Sequence, residues 1–430
     1  MSFFKNIIQF WLKILAKLTL WRYRPQIIGV TGSMGKTSTR EAIYAVLKNH
    51  FSVRRNVKNY NNEIGLPLTI LGLESGGRSL VVWLLLLCRA VLFLFYCPRY
   101  PKILILEMGV DQPGDMDYLL SIVRPHLAVI TGVGKIPVHV EFFSGPRALA
   151  REKGKIIRQL SKQDFAILNI DDELVAEMGG KTKAKVITYG FSDGSSYQPA
   201  ELDFSYALDN ETLLGIHFKI SAGGQVIPFQ LRGVLGRHQL YAALAAVAVG
   251  KIFNLNLVEI SNALRNFPGS PGRMRLLDGV LGSFIIDDTY NASPSAVLRA
   301  LETLDEIPVA GKKIAVLGDM LELGGYAQRA HQKVGEQVLR SADIFIAVGP
   351  FMKIALQHAK KIGFAPENLY FFQTSADAGK FVEGLLGPGD LVLVKGSQSM
   401  RMEKVVLEIM AYPENARQLL VRQDKKWQQR

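Results

Sequence analysis

Short apolar runs alternate with stretches of helical pattern through the first half of the chain. The runs have the length of buried strands and lie at 27–30, 103–107, 127–131 and 165–169. Between them, stretches with helical spacing lie near 36–49, 115–123 and 144–160. An alternation of this kind predicts a parallel α/β sheet with helices on its faces.

The pattern changes between residues 201 and 231. Apolar and polar residues alternate at 204–207 and at 216–220, which predicts antiparallel strands at the edge of the sheet. The Ala-rich stretch 237–251 follows and predicts a helix that closes the domain.

A run of chain breakers from Phe267 to Gly272 predicts a domain boundary. Beyond it, strands are predicted at 284–287, 313–317, 343–348 and 391–394, with helices near 295–304, 327–340, 374–385 and 400–411. We therefore predict an α/β protein with two domains. A central domain over 25–268, built on a P-loop-type parallel sheet, precedes a smaller, doubly wound C-terminal α/β domain over 269–430.

A glycine-rich turn follows the first predicted strand and reads Gly29-Val30-Thr31-Gly32-Ser33-Met34-Gly35-Lys36-Thr37. Glycines let backbone amides converge on phosphate oxygens, and the start of the next helix adds partial positive charge. Lys36 is expected to reach the β- and γ-phosphates, and Thr37 to offer its hydroxyl to Mg²⁺. The strict P-loop spacing places glycine at position 30, so this turn is a variant of that loop.

Polar groups follow other predicted strands as well. Glu107 ends the strand 103–107, at the edge where open α/β sheets bind ligands, and it is a candidate ligand of Mg²⁺. His139 follows the next strand, with a purely structural histidine as an equal alternative. In the second domain Asp287 and Asp288 are adjacent carboxylates, which repel each other unless a cation, a ribose or backbone donors satisfy them.

Residues 1–24 predict a basic amphipathic helix. The apolar positions with helical spacing are Phe3, Phe4, Ile7, Ile8, Trp11, Ile14, Leu15 and Leu18. Lys5, Gln9, Lys13 and Lys17 recur every four residues on another face. Such a helix suits a membrane interface, and it also suits docking on its own domain.

A second apolar segment, from Leu80 to Cys97, carries the single charge of Arg89. It just reaches the length of a transmembrane helix. We reject one full crossing, because it would place the phosphate loop and Glu107 on opposite sides of the bilayer. An interfacial helix, a re-entrant hairpin and a helix buried against protein remain open.

The 430-residue chain has a formal net charge of +13, and no acidic residue precedes Glu41. Basic ends suit anionic partners. Outside residues 1–24 no basic stripe carries interleaved aromatic residues, so nucleic-acid binding is not expected. The two cysteines, Cys88 and Cys97, cannot form a disulfide framework, which together with a nucleotide site indicates the cytoplasm.

Five motifs in this order resemble the Mur ligase family of ATP-dependent amide-forming enzymes in cell-wall synthesis. They are Thr31–Thr37, Asn59–Pro67, Asp287–Pro294, Gly318–Gly324 and Lys395–Glu403. The last three resemble most the subgroup that adds D-Ala-D-Ala to a UDP-N-acetylmuramoyl-tripeptide. The resemblance extends over nearly the whole chain.

The resemblance implies ATP and Mg²⁺ as cofactors and a role for each matching residue. Nucleotide binding is implied for Gly32, Ser33, Gly35, Lys36, Thr37, Ser38, Arg273 and Asp288. Metal binding is implied for Thr37, Glu107, His139 and Lys153, and Lys153 matches a lysine that CO₂ converts into a carbamate. The residues implied in catalysis are Lys36, His139, Lys153 and Asn291.

The implied reaction forms a peptide bond in peptidoglycan precursor synthesis. ATP phosphorylates the terminal carboxylate of the tripeptide, the amine of D-Ala-D-Ala attacks the acyl phosphate, and phosphate leaves. Such a path needs charge neutralisation more than protein nucleophiles. We expect a cytoplasmic monomer with peripheral contact to the anionic inner face of the membrane.

Three departures from the family leave alternatives. We expect a basic amphipathic segment in place of the usual N-terminal UDP-sugar-binding domain. Residues 75–99 resemble an insertion, and Gln239 and Ala242 stand where asparagines are usual. A ligase for a different, membrane-linked carboxylate acceptor is therefore an alternative. A nucleotide-binding scaffold without activity is disfavoured, because it would need neither His139 nor Lys153.

Overall fold

The structure is a computed structural model that describes residues 2–56, 60–77, 79–96, 99–134, 142–200, 205–209, 212–222, 224–424 and 427. The chain divides into two compact units. Unit 1 comprises Met1–Asp203, Phe218–Phe229 and His238–Asn266, and unit 2 comprises Phe204–His217, Gln230–Arg237 and Phe267–Arg430.

Helices and strands alternate from residue 2 to residue 265. In chain order they are α1 (Ser2–Tyr23), β1 (Gln26–Thr31), α2 (Lys36–Leu47), β2 (Val53–Arg55), α3 (Gly65–Leu71), α4 (Leu80–Tyr96), β3 (Ile103–Glu107), α5 (Asp115–Leu120), β4 (Leu127–Ile130), α6 (Pro146–Lys153), α7 (Lys155–Arg158), β5 (Phe165–Asn169), α8 (Glu173–Ala176), β6 (Lys185–Tyr189), β7 (Gln198–Pro199), β8 (Ser205–Asp209), β9 (Thr212–Ala222), β10 (Gln225–Arg232), α9 (His238–Ile252) and α10 (Leu257–Arg265).

The main sheet of unit 1 is parallel, with strand order β2-β3-β1-β4-β5-β6. Val30 of β1 pairs with Glu107 of β3, and Thr31 pairs with Ile130 of β4. The carboxyl ends of these three strands therefore lie side by side at one edge of the sheet, where such folds bind ligands. The predicted parallel α/β sheet is confirmed.

Both faces of this sheet are covered. Ile27, Leu104 and Leu106 lie in a core that also contains side chains of α5, α6 and α7. The intervening Ile28 and Val30 are fully buried as well, and α2 packs on β1, β3 and α9. Burial on both faces explains why these strands are continuous apolar runs.

Sequence reasoning missed both edge strands of this sheet. β2 is a three-residue strand, Val53-Arg54-Arg55, and all of it is only partly buried. β6 exposes Lys185 and Val186 at its start. Edge strands bury less surface than central ones, so their sequences lack the apolar run that marks a central strand.

The expectation that residues 201–231 extend the edge of the parallel sheet is wrong. β7 to β10 form a separate sheet with order β10-β9-β7, and β7 and β8 both pair antiparallel with β9. On β9, Ile216 and Phe218 are buried, whereas His217 and Lys219 are exposed. A strand with one buried face suits an antiparallel sheet, whereas the parallel strands are buried on both faces.

The two apolar segments near the N-terminus form the helices α1 and α4, which pack on each other, while α1 also packs on α3. One cluster of buried side chains joins them: Ile8, Leu12, Leu15, Leu68, Leu71, Leu73, Trp83 and Ala90. Docking of residues 1–24 on their own domain is thus confirmed for the part that is described. Because α4 is a single helix, the re-entrant hairpin is wrong. No described helix is long and apolar enough to span a membrane.

Unit 2 contains a second parallel sheet. Its further elements are β11 (Arg275–Asp278), β12 (Phe284–Asp288), α11 (Pro294–Glu306), β13 (Lys313–Gly318), α12 (Ala327–Ser341), β14 (Ile344–Val348), α13 (Met352–Lys361), β15 (Leu369–Phe372), α14 (Ser375–Glu383), β16 (Leu391–Lys395), α15 (Glu403–Ile409) and α16 (Ala416–Leu419). The strand order is β11-β12-β16-β13-β14-β15, and only β11 runs antiparallel to its neighbour.

Alternate residues of this sheet enter two different cores. Ala315 and Leu317 of β13 pack with residues of α11, α12 and α13 on one face. Ile314 and Val316 pack with residues of α14 and α15 on the other. Helices on both faces confirm the doubly wound arrangement predicted for the C-terminal part of the chain.

Candidate active site

The phosphate loop lies between β1 and α2, at the carboxyl edge of the sheet in unit 1. Gly35 precedes the helix with a φ of +78°, and Gly32 has a φ of +148°. A Cβ atom at Gly32 would lie 2.0 Å from Oγ1 of Thr131. Both positions therefore require glycine, one for its left-handed backbone and the other also for space.

The side chains of the loop are arranged as a phosphate site requires. Lys36 begins α2 and its Nζ donates to the carbonyls of Gly32 and Ser33, at 2.8 and 3.4 Å, so the ammonium lies over the loop. Thr37 and Ser38 follow in the first turn. The Oγ of Ser33 is buried and has no hydrogen-bond partner among the described residues. A buried hydroxyl without a partner fits a site that is completed by a phosphate oxygen.

Glu107 collects several donors beside this loop. Its Oε2 accepts from Oγ1 of Thr37 at 3.1 Å and from Nη1 of Arg40 at 3.0 Å. Its Oε1 accepts from Nδ2 of Asn61 at 3.2 Å, and its own N–H donates to Oδ1 of Asn56 at 2.6 Å. The carboxylate is 4% exposed, so these donors offset the cost of burying its charge.

The predicted pairing of Thr37 and Glu107 is therefore present, but Arg40 and Asn56 were missed. Asn61 lies in the motif 59–67 that carried part of the resemblance. Arg40 gave no signal beyond its place one turn after Thr37, where it looks like any charged helix residue. An arginine at this depth needs a carboxylate, and Glu107 and Glu41 both serve, at 3.0 and 2.7 Å.

Lys153 lies at the end of α6 and is 2% exposed. Burial, with the nearby positive charge of Lys36, lowers its pKa from 10.5 to about 7 against the opposing effect of Asp111, Asp115 and Glu152. A larger part of the Lys153 amine is then neutral near pH 7, whereas an ordinary lysine is almost wholly protonated there. A neutral buried amine is the form that reacts with CO₂.

Other residues fix the neighbouring loop after β4. Oδ2 of Asp172 accepts from the N–H groups of Val133 and Gly134, both at 2.7 Å. Nδ2 of Asn169 donates to the carbonyl of Thr131 at 2.8 Å. These contacts hold the chain at the carboxyl edge just before the predicted His139, which itself lies outside the described residues.

In unit 2, the two adjacent aspartates have different partners. Asp287 is fully buried; its Oδ2 accepts from the N–H of Gly272 at 2.9 Å, and its Oδ1 accepts from Oγ1 of Thr289 at 2.6 Å. Burial raises its pKa to about 6, against the effect of these hydrogen bonds. Asp288 instead pairs with Nζ of Lys395 at 2.6 Å. Each carboxylate thus has its own hydrogen-bond or charged partners, which offset the repulsion between the two adjacent aspartates.

Two predicted site residues lie beside these aspartates. The guanidinium of Arg273 lies over the ring of Tyr290, 4.0 Å from its centroid. The backbone carbonyl of Asn291 accepts from Nζ of Lys395 at 2.8 Å. Lys395 therefore ties the loop after β12 to the end of β16, and it brings Asp288 and Asn291 together.

A buried network from the end of the chain braces the same loop. Glu403 is 1% exposed and accepts from Arg401 at 2.5 Å and from Arg422 at 2.9 Å. Arg422 also donates to the backbone carbonyls of Thr289 and Tyr290. Sequence reasoning missed Arg422, because a basic residue in a charged tail normally indicates a solvated segment.

These features define a class of protein: an α/β enzyme with a variant phosphate loop, followed by a second α/β unit with its own polar strand-end loops. The family model "Mur ligase middle domain" matches residues 30–83 and 91–250, and "Mur ligase, glutamate ligase domain" matches residues 272–398. The chain belongs to the Mur ligase family, whose members are ATP-dependent ligases.

Individual relatives are similar to this chain over most of its length. A UDP-N-acetylmuramoyl-tripeptide–D-alanyl-D-alanine ligase of Bacillus subtilis is 30% identical over 94% of this chain and 79% of its own length. The MurF ligase of Thermotoga maritima in complex with ADP has a TM-score of 0.74 at 28% identity, over 92% of this chain and 82% of its own. MurF of Acinetobacter baumannii has a TM-score of 0.75 at 26% identity, over 92% of this chain and 79% of its own.

Proposed function

We propose that this protein is an ATP-dependent ligase that adds D-Ala-D-Ala to a UDP-N-acetylmuramoyl-tripeptide through an acyl phosphate, in peptidoglycan precursor synthesis. The observation that carries the proposal is the group formed by Lys36, Thr37 and Glu107 at one sheet edge, with the buried Lys153 in electrostatic range of Lys36. The names of the relatives support the choice of substrates.

The phosphate loop would bind and orient ATP. The amides after Gly32, the hydroxyl of Ser33 and the ammonium of Lys36 would hold the phosphates, with Gly35 and Ser38 at the start of α2. Developing charge on the transferring phosphoryl group is neutralised by donors that are already in place, which is the main requirement of phosphoryl transfer.

The residues beside the loop fit Mg²⁺. Thr37 and Glu107 offer hard oxygen ligands 3.1 Å apart. Among the described residues no group of three or more His, Cys, Asp or Glu side chains could hold a metal. An ion held by Thr37 and Glu107 would also bind nucleotide phosphates, where it would neutralise phosphoryl charge. His139 and a carbamate on Lys153 would hold a second ion.

In unit 2, the same proposal assigns nucleotide contacts to Arg273 and Asp288. Arg273 would bind the nucleotide from its position over Tyr290, and Asp288, oriented by Lys395, would accept from a ribose hydroxyl. Asn291, on the loop fixed by Lys395, would contact the incoming amine substrate. Such contacts position the amine for attack on the acyl phosphate.

The proposal also covers the oligomeric state and the cellular location of the enzyme. The protein is proposed to act as a monomer. ATP chemistry and the free thiol of Cys88 fit the cytoplasm. Peripheral contact with the anionic inner face of the membrane is part of the same proposal.

Omission of each substrate tests the proposed reaction. We expect purified full-length protein to release phosphate from ATP at its full rate only when UDP-N-acetylmuramoyl-tripeptide and D-Ala-D-Ala are both present. The expected product is the UDP-linked pentapeptide, detected by mass spectrometry. Full phosphate release with D-Ala-D-Ala omitted, or with no pentapeptide formed, would show that the acceptor or the amine is a different molecule.

A further inference from the structure

The helices α1 and α4 share an exposed apolar surface. More than half of the exposed large apolar side chains in the described part of the chain lie on these two helices. They are Ile7, Phe10, Trp11, Leu18 and Trp21 on α1, and Leu80, Val81, Val82, Leu84, Leu85, Val91, Leu92, Phe95 and Tyr96 on α4. We call this set the α1–α4 surface. Single exposed apolar residues are normal, but a large set on one pair of packed helices indicates an interaction site.

Packing among the described residues does not account for the α1–α4 surface. α1 already buries one stripe, in which Leu12 and Ala16 have no exposed surface. Its exposed apolar residues at 7, 11, 18 and 21 follow helical spacing on the other side of the helix. A helix that packs on one face normally carries polar residues on the opposite face, whereas α1 has large apolar residues there beside Asn6 and Lys17.

α4 is more extreme. Only Trp83 and Ala90 of its 17 residues are buried, and Tyr96 at its end is 81% exposed. The one charge on the helix is Arg89. Residues 84–90 of α4 are also left out of the family match. Apart from Arg89, the helix is apolar around its whole circumference, although about half of that circumference faces away from the protein.

Both helices lie in stretches of sequence whose charged residues are all basic. The sequence contains no Asp or Glu in residues 1–40 or in residues 75–106, which include both helices. Lys17, Arg22, Arg24, Arg89 and Arg99 are all exposed within these stretches. By contrast, Lys5 and Lys13 contact other residues of unit 1, namely Glu63 at 3.3 Å and Ser121 at 2.6 Å. The charge that remains around the surface complements an anionic partner.

We propose that the α1–α4 surface lies in the interface of an anionic lipid bilayer, with α4 as the inserted helix. α1 is bound to α4 by hydrogen bonds as well as by packing: the hydroxyl of Tyr23 donates to the carbonyls of Phe93 and Leu94, both at 3.2 Å. A 17-residue helix is about 26 Å long, which suits a helix lying in the plane of the membrane. Trp21 and Tyr96 are of the type that sits at the headgroup level.

This inference rests on the proposed membrane contact and names the surface that makes it. It also changes the role of residues 1–24. The buried stripe of α1 is part of the fold, so removing the helix would expose core residues and confuse membrane binding with unfolding. Point substitutions on the exposed face of α4 avoid that difficulty, because surface changes usually alter stability little.

The test compares L85E/L92E with V226E/V258E in the full-length protein. Leu85 and Leu92 are 63% and 60% exposed on α4, and Val226 and Val258 are 56% and 57% exposed elsewhere in unit 1. Each protein is sedimented with vesicles of phosphatidylcholine alone or with added phosphatidylglycerol, over a range of salt. We expect wild type and V226E/V258E to bind the anionic vesicles, and L85E/L92E to lose at least about tenfold in binding, because carboxylates are costly in hydrocarbon.

A second measurement reports on the location of the helices. Trp11 and Trp21 belong to the α1–α4 surface, whereas Trp83 is 6% exposed and already buried. On anionic vesicles, tryptophan emission should shift to the blue and be quenched by brominated lipid. A W11F/W21F variant should bind normally but lose most of that quenching, which places the signal on the surface itself.

Several results would overturn the proposal. Equal binding by L85E/L92E and wild type would show that another part of the chain holds the membrane. Wild-type protein that binds no vesicles, but forms a dimer that L85E/L92E dissolves in analytical ultracentrifugation, would show that a second copy covers the surface. Ligase turnover in detergent-free solution should be unchanged in both variants, so a failure of the membrane inference would leave the proposed reaction intact.

Discussion

Lys36→Ala should lower ATP turnover by at least about a hundredfold while the protein remains folded. The ammonium of Lys36 lies directly over the phosphate loop, at 2.8 Å from the carbonyl of Gly32. Loss of a preorganised group of this kind typically costs about two to three orders of magnitude in rate. The measurement is phosphate release with both substrates saturating.

Lys48→Ala is the matched control for that experiment, because Lys48 lies at the other end of α2 and is exposed. Its rate should equal that of wild type, and both variants should melt within a few degrees of it. If the folded Lys36→Ala protein kept wild-type turnover, the nucleotide would not be bound at this loop.

Lys153→Ala should also abolish activity, for a different reason. The neutral amine of Lys153 can combine with CO₂, losing a proton, to give a carbamate with two oxygen ligands and a negative charge. A small carboxylic acid such as acetate should partly restore Lys153→Ala, because it can occupy the vacated space and supply the same oxygens. Lys153→Met fills that space without an amine and should not be restored by any carboxylic acid.

The carbamate can be observed directly. Wild-type protein in ¹³C-bicarbonate should show a carbamate resonance that is absent from Lys153→Met. Because the pKa of Lys153 is lowered to about 7, the amine is neutral above that pH and protonated below it. The carbamate signal should therefore fall as the pH drops from 8 to 6. A wild-type rate in Lys153→Ala would rule out the assigned role.

The central strands and the phosphate loop could be predicted because each depends on local sequence. β1 and β3 are continuous apolar runs, and the loop needs glycine at positions that the sequence displays. β2 could not be predicted in this way. Its sequence Val53-Arg54-Arg55 becomes a strand only because β3 is available to pair with it.

The chemistry of the site depended on contacts that the sequence does not display. Lys153 lies in a charged stretch that looks like a solvated helix face, and the sequence does not show that burial and the nearby charge of Lys36 lower the pKa of the amine. Arg40 is visible as a partner of Glu107 only when β3 and α2 are placed together. For α1, the apolar spacing predicts a helix, but it does not show that one group of apolar residues packs on the protein while another group is exposed.

The most direct test of the account is the fate of the carboxylate oxygen of the acceptor. A UDP-N-acetylmuramoyl-tripeptide labelled with ¹⁸O in its terminal carboxylate is incubated with ATP, D-Ala-D-Ala and the full-length protein. If the carboxylate attacks the γ-phosphate, one labelled oxygen leaves with the released phosphate when the amide forms. The account predicts singly labelled phosphate in amounts equal to the pentapeptide product. Unlabelled phosphate alongside normal product formation, or label recovered in AMP, would contradict it.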